Sequence, residues 1–190
     1  MKIYLAGPDV FLPDAVEIGR RKVEICAQRG LTGLYPLDNI VDLAASDASI
    51  AIFQGNQAMM DAADAIIANL TPFRGPGADA GTVYELGFMA GGGKLCLGYC
   101  NDPTLYADRV RKFTTVDKQA GRLADAAGLA VEDFGLSDNL MIIHALELHG
   151  CALVTPRQAP ADIWHDLTSF EVCVRMAAER LGSAPAPASS

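Results

Sequence analysis

Short, uninterrupted apolar runs alternate with longer amphipathic segments along most of this chain, and this alternation constrains the fold more than any other feature. Runs at residues 2–6, 65–70 and 95–100 predict strands that are buried on both faces, because they lack the period-two pattern of a half-exposed strand. The amphipathic segments between them predict helices. Together they predict an α/β fold in which helices cover both faces of a doubly wound parallel sheet.

The remaining elements are predicted from the helical spacing of apolar residues and from the glycines and prolines that end each element. Predicted helices cover residues 14–29, 47–63, 79–90, 139–148 and 163–181, and weaker strands cover 31–35 and 151–154. Residues 102–137 are the least regular part of the chain. They predict only helical fragments, which are broken at Gly121, Gly128 and Gly135.

Length and composition predict a single domain. A chain of 190 residues has the size of one core with short appendages. A content of 51% hydrophobic and 20% charged residues excludes an intrinsically disordered chain. We expect the domain to span residues 1–181 and the segment GSAPAPASS at 182–190 to form a disordered tail.

The charge balance argues against nucleic acid as a partner. The chain has 15 Lys and Arg against 23 Asp and Glu, and the resulting formal net charge of −8 repels a phosphate backbone.

No run approaches the roughly 18 apolar residues of a membrane helix, and the apolar start at 3–7 ends too early for a signal sequence. The odd number of cysteines, five, favours a reducing compartment, so we expect a soluble, cytoplasmic protein.

A polar segment at 69–87, between two apolar segments, contains the densest group of candidate site residues. In a parallel sheet, ligands bind beyond the carboxyl ends of the strands, so this segment should share a crevice with residues 4–11 and 36–39. Asp79 and Glu85 are six residues apart and can share a face if Asp79 caps the helix and Glu85 reaches inward from its second turn.

The Asp79 and Glu85 pair also has an interpretation without function. An Asp that caps a helix and a Glu that is solvated on its surface are common near helix starts. Glu85, however, is surrounded in sequence by Val83, Leu86 and Phe88. Because a buried carboxyl group must have a partner or a purpose, these apolar neighbours favour a functional site.

Other motifs are weaker candidates. The sequence GPGADA at 75–80 has the spacing of a dinucleotide-binding loop, but such a loop normally follows the first strand of its unit, and Pro76 stiffens it. No Walker-type Gly-Lys-Ser/Thr sequence is present. We predict no metal site, because no Cys or carboxylate stands at metal-ligand spacing from the histidines, which we place on helices at His144, His149 and His165.

Three segments of the chain resemble the nucleoside 2-deoxyribosyltransferase family. They are KIYLAGPDVF at 2–11, GNQAMMDAADAIIANLTPFRGPGADAGTVYELGFMAGGGK at 55–94 and GLSDNLMI at 135–142. The resemblance extends from residue 2 to about residue 148, and its central block is specific. It implies a flavodoxin-like parallel sheet and the transfer of a 2-deoxyribosyl group from one nucleobase to another, with no metal or organic cofactor.

The resemblance also implies catalytic roles for three residues. Glu85, in the sequence YELG, takes the position of the family's nucleophile. Asp79 takes the position of the acid that assists the base, and Tyr4 that of the first-strand tyrosine that positions the nucleophile. A carboxylate that attacks the anomeric carbon and an acid on the leaving base are the groups that a double displacement requires.

The substrates implied are deoxynucleosides and free nucleobases. Asn56 matches the residue that holds a sugar hydroxyl, which is Asp in some members, and Phe11 matches the aromatic residue near the base. The residues Gly7, Asp38 and Phe73 are expected to complete the substrate site. Asn139 and Met141 match an Asn-x-Met that reaches a neighbouring subunit's site, so we expect a homo-oligomer.

Two alternatives to a transferase remain open. The first is a 2-deoxynucleoside 5-phosphate N-hydrolase, which shares the nucleophile but binds a phosphate at the loop after the first strand. In this chain that loop carries Asp9, which is expected to repel phosphate and favour a neutral 5-hydroxyl. The second is a nucleotide-binding module without turnover, which the same crevice would serve.

Overall fold

The computed structural model describes residues 1–39, 41–119 and 121–182 and contains a four-stranded parallel sheet. Its strands are β1 (Lys2–Ala6), β2 (Thr32–Leu34), β3 (Ala65–Asn69) and β4 (Leu95–Tyr99), in the order β2-β1-β3-β4. This order matches the first four positions of a flavodoxin-like sheet. The predicted α/β fold is therefore confirmed, with β1 in the interior of the sheet.

The described residues form six α-helices: α1 (Ala15–Ala27), α2 (Ala48–Ala62), α3 (Ala80–Gly91), α4 (Tyr106–Phe113), α5 (Leu140–His149) and α6 (Thr168–Gly182). Helices α1 and α6 contribute to a core cluster on one face of the sheet, and α2, α3 and α5 contribute to a cluster on the other. Alternate residues of β1 point to opposite faces. Ile3 and Leu5 therefore pack with α1 and α6, whereas Tyr4 and Ala6 pack with the α2, α3 and α5 cluster.

Residues 102–137 contain one helical fragment, α4, as predicted, but the rest of the region differs from the prediction. After α4, the chain forms an antiparallel hairpin of β5 (Val116–Gln119) and β6 (Arg122–Asp125). The φ angles of the three glycines in this region are +86°, +82° and +71°, which is left-handed backbone that favours glycine. Here Gly121, Gly128 and Gly135 mark turns rather than the ends of helices.

The strand predicted at 151–154 is reduced to a short contact with β4. Val154 forms one parallel bridge with Tyr99, and its N–H donates to the carbonyl of Gly98 at 3.0 Å. Just before it, Gly150 lies so close to β4 that a Cβ atom there would be 1.6 Å from the carbonyl oxygen of Cys96. This segment occupies the edge where a flavodoxin-like fold has its fifth strand.

The last helix begins at Thr168 rather than at residue 163. His165, which we expected on that helix, lies in the preceding turn, where its ring contacts the carboxylates of Asp14 and Asp162. Gly182, which we assigned to the tail, is the last residue of α6. The rest of that expected tail, 183–190, lies outside the described residues.

Within the described ranges, no helix is long and apolar enough to cross a membrane. Those ranges also contain no group of three or more His, Cys, Asp or Glu arranged to hold a metal ion. All five cysteines are buried and unpaired with one another.

Candidate active site

A cleft of about 240 Å³ opens beyond the carboxyl ends of β1 and β3, where ligands bind in sheets of this topology. It is formed by the loop after β1, the turn after β2, one side of α2 and the start of α3. The residues that line it are Gly7, Val10, Phe11, Pro36, Ile52, Asn56, Asp79, Gly81, Thr82 and Glu85. Five of the residues proposed from the sequence thus meet in one place, and Tyr4 joins them through Glu85.

Glu85 and Tyr4 form the central contact of the cleft. Tyr4 Oη donates a hydrogen bond of 2.6 Å to Glu85 Oε1, although the two residues are 81 positions apart in the chain. Burial raises the pKa of Glu85 to about 7, with a further increase from the charge of Asp79, while the Tyr4 hydrogen bond opposes the rise. Burial and the neighbouring Glu85 also raise the pKa of Tyr4, so its hydroxyl stays protonated and continues to donate.

Asp79 is the N-cap of α3, as the spacing predicted. Its Oδ2 accepts a hydrogen bond from the backbone N–H of Thr82 at 2.9 Å and another from the Thr82 hydroxyl at 3.1 Å. This geometry leaves Asp79 on the wall of the cleft and places Glu85 further along the same helix, facing the same space.

The loop after β1 is held by a buried ion pair. Asp9 is fully buried, its Oδ2 lies 2.5 Å from Lys22 Nζ, and its Oδ1 accepts from Asn69 Nδ2 at 2.6 Å. A Cβ atom at Gly7 would lie 2.7 Å from both the Asn69 side chain and Asp9 Oδ1, so the loop requires glycine there. The expectation that Asp9 would repel a phosphate is wrong, because its carboxylate is sealed inside the loop and paired with Lys22.

An aromatic cluster stands at the mouth of the cleft. The rings of Phe11 and Phe73 are stacked with centroids 5.3 Å apart, and Trp164 meets Phe73 edge-on at 6.1 Å. The guanidinium of Arg74 lies over both phenylalanine rings, on a residue with a φ of +53°. Phe11 is 57% exposed and lines the cleft, whereas Phe73 supports it from outside.

Asn56 lies where two recesses meet. It lines the cleft and also an apolar recess of about 300 Å³, and Glu85 is shared between the same two spaces. The side chain of Asn39 donates to Asn56 Oδ1 at 3.3 Å. Asp38 does not line the cleft among the described residues, and its Oδ2 accepts from the backbone N–H of Tyr35 at 3.1 Å.

Asn139 and Met141 lie at the start of α5 and outside the cleft of their own chain, as far as the described residues define it. Asn139 Oδ1 accepts from the N–H of Met141 at 3.0 Å, and its Nδ2 donates to Glu132 at 2.8 Å. Met141 is 72% exposed and lines an apolar groove between α3 and α5.

Sequence reasoning missed several residues of the site. Thr82 could have been found from the Asp-x-x-Thr spacing, which is that of an N-cap and its N3 position. Pro36 belongs to the segment 36–39 that was expected at the crevice, whereas Ile52 carries no comparable signal, since it enters the cleft only through the packing of α2 against β1.

The fold and the cleft together define a flavodoxin-like α/β protein with paired carboxyl groups at the carboxyl edge of its sheet. Residues 3–141, well over half of the chain, match the family model described as nucleoside 2-deoxyribosyltransferase. The chain belongs to the nucleoside 2-deoxyribosyltransferase family.

Individual relatives agree with this assignment. A solved structure described as a 2-desoxiribosyltransferase from Leishmania mexicana is 31% identical, with a TM-score of 0.65 and coverage of 94% of this chain and 97% of that one. The uncharacterized protein C191.05c of Schizosaccharomyces pombe is 34% identical over 167 residues, which is 78% of each chain. A conserved protein from Enterococcus faecalis V583 shares the fold, with 21% identity, a TM-score of 0.57 and coverage of 93% and 98%.

Family membership limits the reaction to one that breaks the bond between a sugar and a nucleobase. It indicates an enzyme that acts on nucleosides and nucleobases, by deoxyribosyl transfer or by the related cleavage of the N-glycosidic bond.

Proposed function

We propose that this protein transfers a 2-deoxyribosyl group between nucleobases by double displacement, through a covalent glycosyl intermediate on Glu85 and with retention of the β-configuration. The observation that carries the proposal is the 2.6 Å hydrogen bond from Tyr4 to Glu85 in a cleft that Asp79 also lines. A carboxylate held by one oxygen keeps its second oxygen for attack, and an acid beside it can serve the base.

In the first half-reaction, a carboxylate oxygen of Glu85 forms a bond to the anomeric carbon while the bond from that carbon to the base nitrogen breaks. The electron pair leaves with the base, which takes a proton from Asp79. In the second half-reaction, a nitrogen of the acceptor base attacks the anomeric carbon, the bond from that carbon to Glu85 breaks and Glu85 departs as a carboxylate, and Asp79 takes up the proton that the acceptor nitrogen loses. Two inversions restore the β-configuration.

The other cleft residues bind the substrate in this proposal. Asn56, beside Glu85, holds a sugar hydroxyl, and Phe11 packs against the base with Phe73 behind it. Gly7 lets the loop after β1 approach the sugar. Asp38 contributes only indirectly, by holding the turn after β2 through the backbone N–H of Tyr35. Every bond exchanged is a bond to the anomeric carbon or to a proton, so the reaction requires no cofactor.

We further propose that the protein is a homo-oligomer in which Asn139 and Met141 complete a neighbour's site. Helices α2, α3 and α5 present large apolar side chains to solvent, among them Phe53, Tyr84, Met141 and Leu148. A second copy would cover this face. The groove of about 270 Å³ between α3 and α5, which Met141 lines, lies within it.

The geometry of Asp9 supports a second candidate, hydrolysis of deoxynucleosides or their 5-phosphates by the same nucleophile. Because Asp9 is buried and paired with Lys22, the loop after β1 presents no carboxylate that would exclude a phosphate. In that reaction, water would replace the acceptor base in the second half-reaction.

One incubation separates these functions. The protein is mixed with deoxyinosine and free adenine or cytosine, and in parallel with deoxynucleoside 5-phosphates, and the products are separated by chromatography. A new deoxynucleoside establishes transfer, and free deoxyribose or its phosphate in its place establishes hydrolysis. Binding without any product, in the parent as in Glu85→Gln, would contradict both and leave a nucleotide-binding module.

A further inference from the structure

The carboxylate of Asp138, which has no part in the steps above, joins three segments around the site. Asp138 directly precedes α5 and is 4% exposed. Its Oδ2 accepts a hydrogen bond from the backbone N–H of Ala78 at 3.1 Å, and its Oδ1 accepts from that of Asn139 at 2.8 Å. Arg109 of α4, which is 2% exposed, donates from Nη2 to Oδ2 at 3.1 Å.

The contact with Ala78 is important because Ala78 directly precedes Asp79. The Asp79 carboxylate is fixed on one side by its hydrogen bonds from Thr82. On the other side, the backbone that leads into it is fixed to Asp138. Gly77 also packs near the carboxylate of Asp138, since a Cβ atom on Gly77 would lie 3.5 Å from Asp138 Oδ1.

Arg109 holds the Asp138 carboxylate in place. Its Nη2 also donates to the carbonyl of Ser137, so the guanidinium contacts both the backbone and the side chain at the start of α5. Burial raises the pKa of Asp138, whereas the N–H of Asn139 and the charge of Arg109 lower it. Two opposite charges removed from water in this way depend on each other, because either alone would be buried without a partner.

We infer that the Asp138 and Arg109 pair is a positioning device for Asp79, which fixes the backbone before the N-cap so that the Asp79 carboxyl remains within reach of the leaving base. This inference rests on the proposed function, in which Asp79 gives that base a proton. Asp138 is a positioning residue rather than a catalytic one, because it contacts the backbone of Ala78 and does not line the cleft in the described chain.

A substrate whose base needs no proton distinguishes positioning from a purely structural role. 7-Methyl-2′-deoxyguanosine carries a cationic base that departs without protonation, whereas the adenine of deoxyadenosine departs more readily when an acid protonates it. The ratio of kcat/KM on deoxyadenosine to kcat/KM on the methylated substrate therefore measures proton donation. Loss of folded protein lowers both rates equally and leaves the ratio unchanged.

We expect Asp138→Asn to lower this ratio about tenfold, toward that of Asp79→Asn, because a small displacement of a catalytic group costs one to two orders of magnitude. Arg109→Lys keeps the charge but loses the planar fork and should lower the ratio several-fold. The control is Asp108→Asn, which makes the same substitution in the exposed ion pair with Arg111 on α4, outside the cleft, and should leave the ratio unchanged. Thermal unfolding measurements show whether each variant is folded. If Asp138→Asn does not fold, the inference is tested with Arg109→Lys alone.

If Asp138→Asn and Arg109→Lys both keep the ratio of the two kcat/KM values that the parent protein shows, the inference is overturned. The double variant Asp79→Asn/Asp138→Asn should show the ratio of Asp79→Asn alone, and a further fall would mean that Asp138 acts independently of Asp79. If Asp79→Asn itself leaves the ratio unchanged, Asp79 is not the proton donor and the inference is wrong. If the parent cleaves neither substrate, it is the proposed function that fails.

Discussion

Helices α3 and α5 begin in the same way but lie in different surroundings. Asp79 caps α3 by accepting from the N–H of Thr82, and Asn139 caps α5 by accepting from the N–H of Met141. Asp79 lies on the wall of the cleft, close enough to Glu85 for its charge to raise the pKa of that residue. Asn139 instead donates its amide to the side chain of Glu132.

The two helices differ in the side chains that they place near the capping residue. Helix α3 carries Glu85, which is held against Tyr4 in a partly buried cleft. Helix α5 carries Met141 near its start, which is exposed, and its described side chains offer no comparable buried carboxylate to a substrate. In the proposed function, the start of α3 therefore belongs to a site within its own chain, whereas the start of α5 can contact a substrate only in the site of a neighbouring chain.

The largest effect should come from removing Glu85, the partly buried carboxylate of α3 for which the described side chains of α5 offer no counterpart. We expect Glu85→Ala to lower the transfer rate at least about a thousandfold, since loss of a nucleophile removes the covalent route. The fold should persist, because the side chain makes no core apolar contact on which the sheet depends. Steady-state kinetics measure the transfer rate and circular dichroism measures the fold. Glu24→Ala, on the exposed face of α1, is the control. A residual rate above about a tenth of the parent would exclude Glu85 as nucleophile.

Asp79→Asn should have a smaller effect, because it leaves the nucleophile in place. Asn caps a helix about as well as Asp, so α3 should still begin at Ala80. We expect a loss of about 10- to 100-fold for bases that need protonation, which shrinks for bases that leave easily. Equal losses for every base would show that Asp79 does not act on the leaving group.

The pH dependence tests the environment of Glu85. Its pKa is raised to about 7 and it must be ionised to attack. On 7-methyl-2′-deoxyguanosine, whose base needs no proton from Asp79, kcat/KM should therefore rise with pH and level off above about 7. Below that value the rate should fall about tenfold per pH unit. Tyr4→Phe removes the hydrogen bond that lowers the Glu85 pKa, so its profile should shift to higher pH. An inflection near the ordinary value of 4.5 would show that the cleft does not perturb this carboxyl.

Mixing inactive chains tests whether the start of α5 serves a neighbour. In a two-fold pair with shared sites, one site of each mixed pair of Glu85→Ala and Asn139→Ala chains regains both residues. Random exchange makes half of the pairs mixed, so roughly a quarter of all sites should recover activity. Glu85→Ala mixed with Asp79→Ala is the control, because these residues line one cleft in one chain and no site is restored.

Two outcomes of this experiment contradict the shared site. If Asn139→Ala is fully active by itself, Asn139 only caps its own helix. If it is inactive and the exchanged mixture stays inactive, each site is built within a single chain.

The sheet could be predicted from the sequence because its inner strands are buried on both faces. Residues 3–6 and 65–68 are uninterrupted apolar runs, and such runs have few other places in a small domain. The hairpin of β5 and β6 could not be predicted in this way. Its strands, VDKQ and RLAD, are short, only half of their residues are exposed, and they show no apolar period to recognise.

Five residues that line the cleft could be proposed from the sequence, but their contacts could not. The spacing of Asp79 and Glu85 on a helix required only local geometry, whereas the partner of Glu85 is Tyr4, 81 positions away, and its position followed from a family resemblance. Asp9 was misjudged because an acid in a loop is usually exposed. Its burial depends on Lys22 and Asn69, which only the folded sheet brings to it.

The central claim, a covalent bond between the sugar and Glu85, can be tested by trapping. A 2′-fluoro deoxynucleoside slows both half-reactions, because the fluorine disfavours the positive charge that develops at the anomeric carbon, so the intermediate accumulates. Cleavage after Arg74 and Lys94 releases one peptide, 75–94, that contains both Asp79 and Glu85. Tandem mass spectrometry should place the mass of the fluorinated sugar on Glu85, and an adduct on Asp79, or turnover with no adduct on this peptide, would contradict the mechanism.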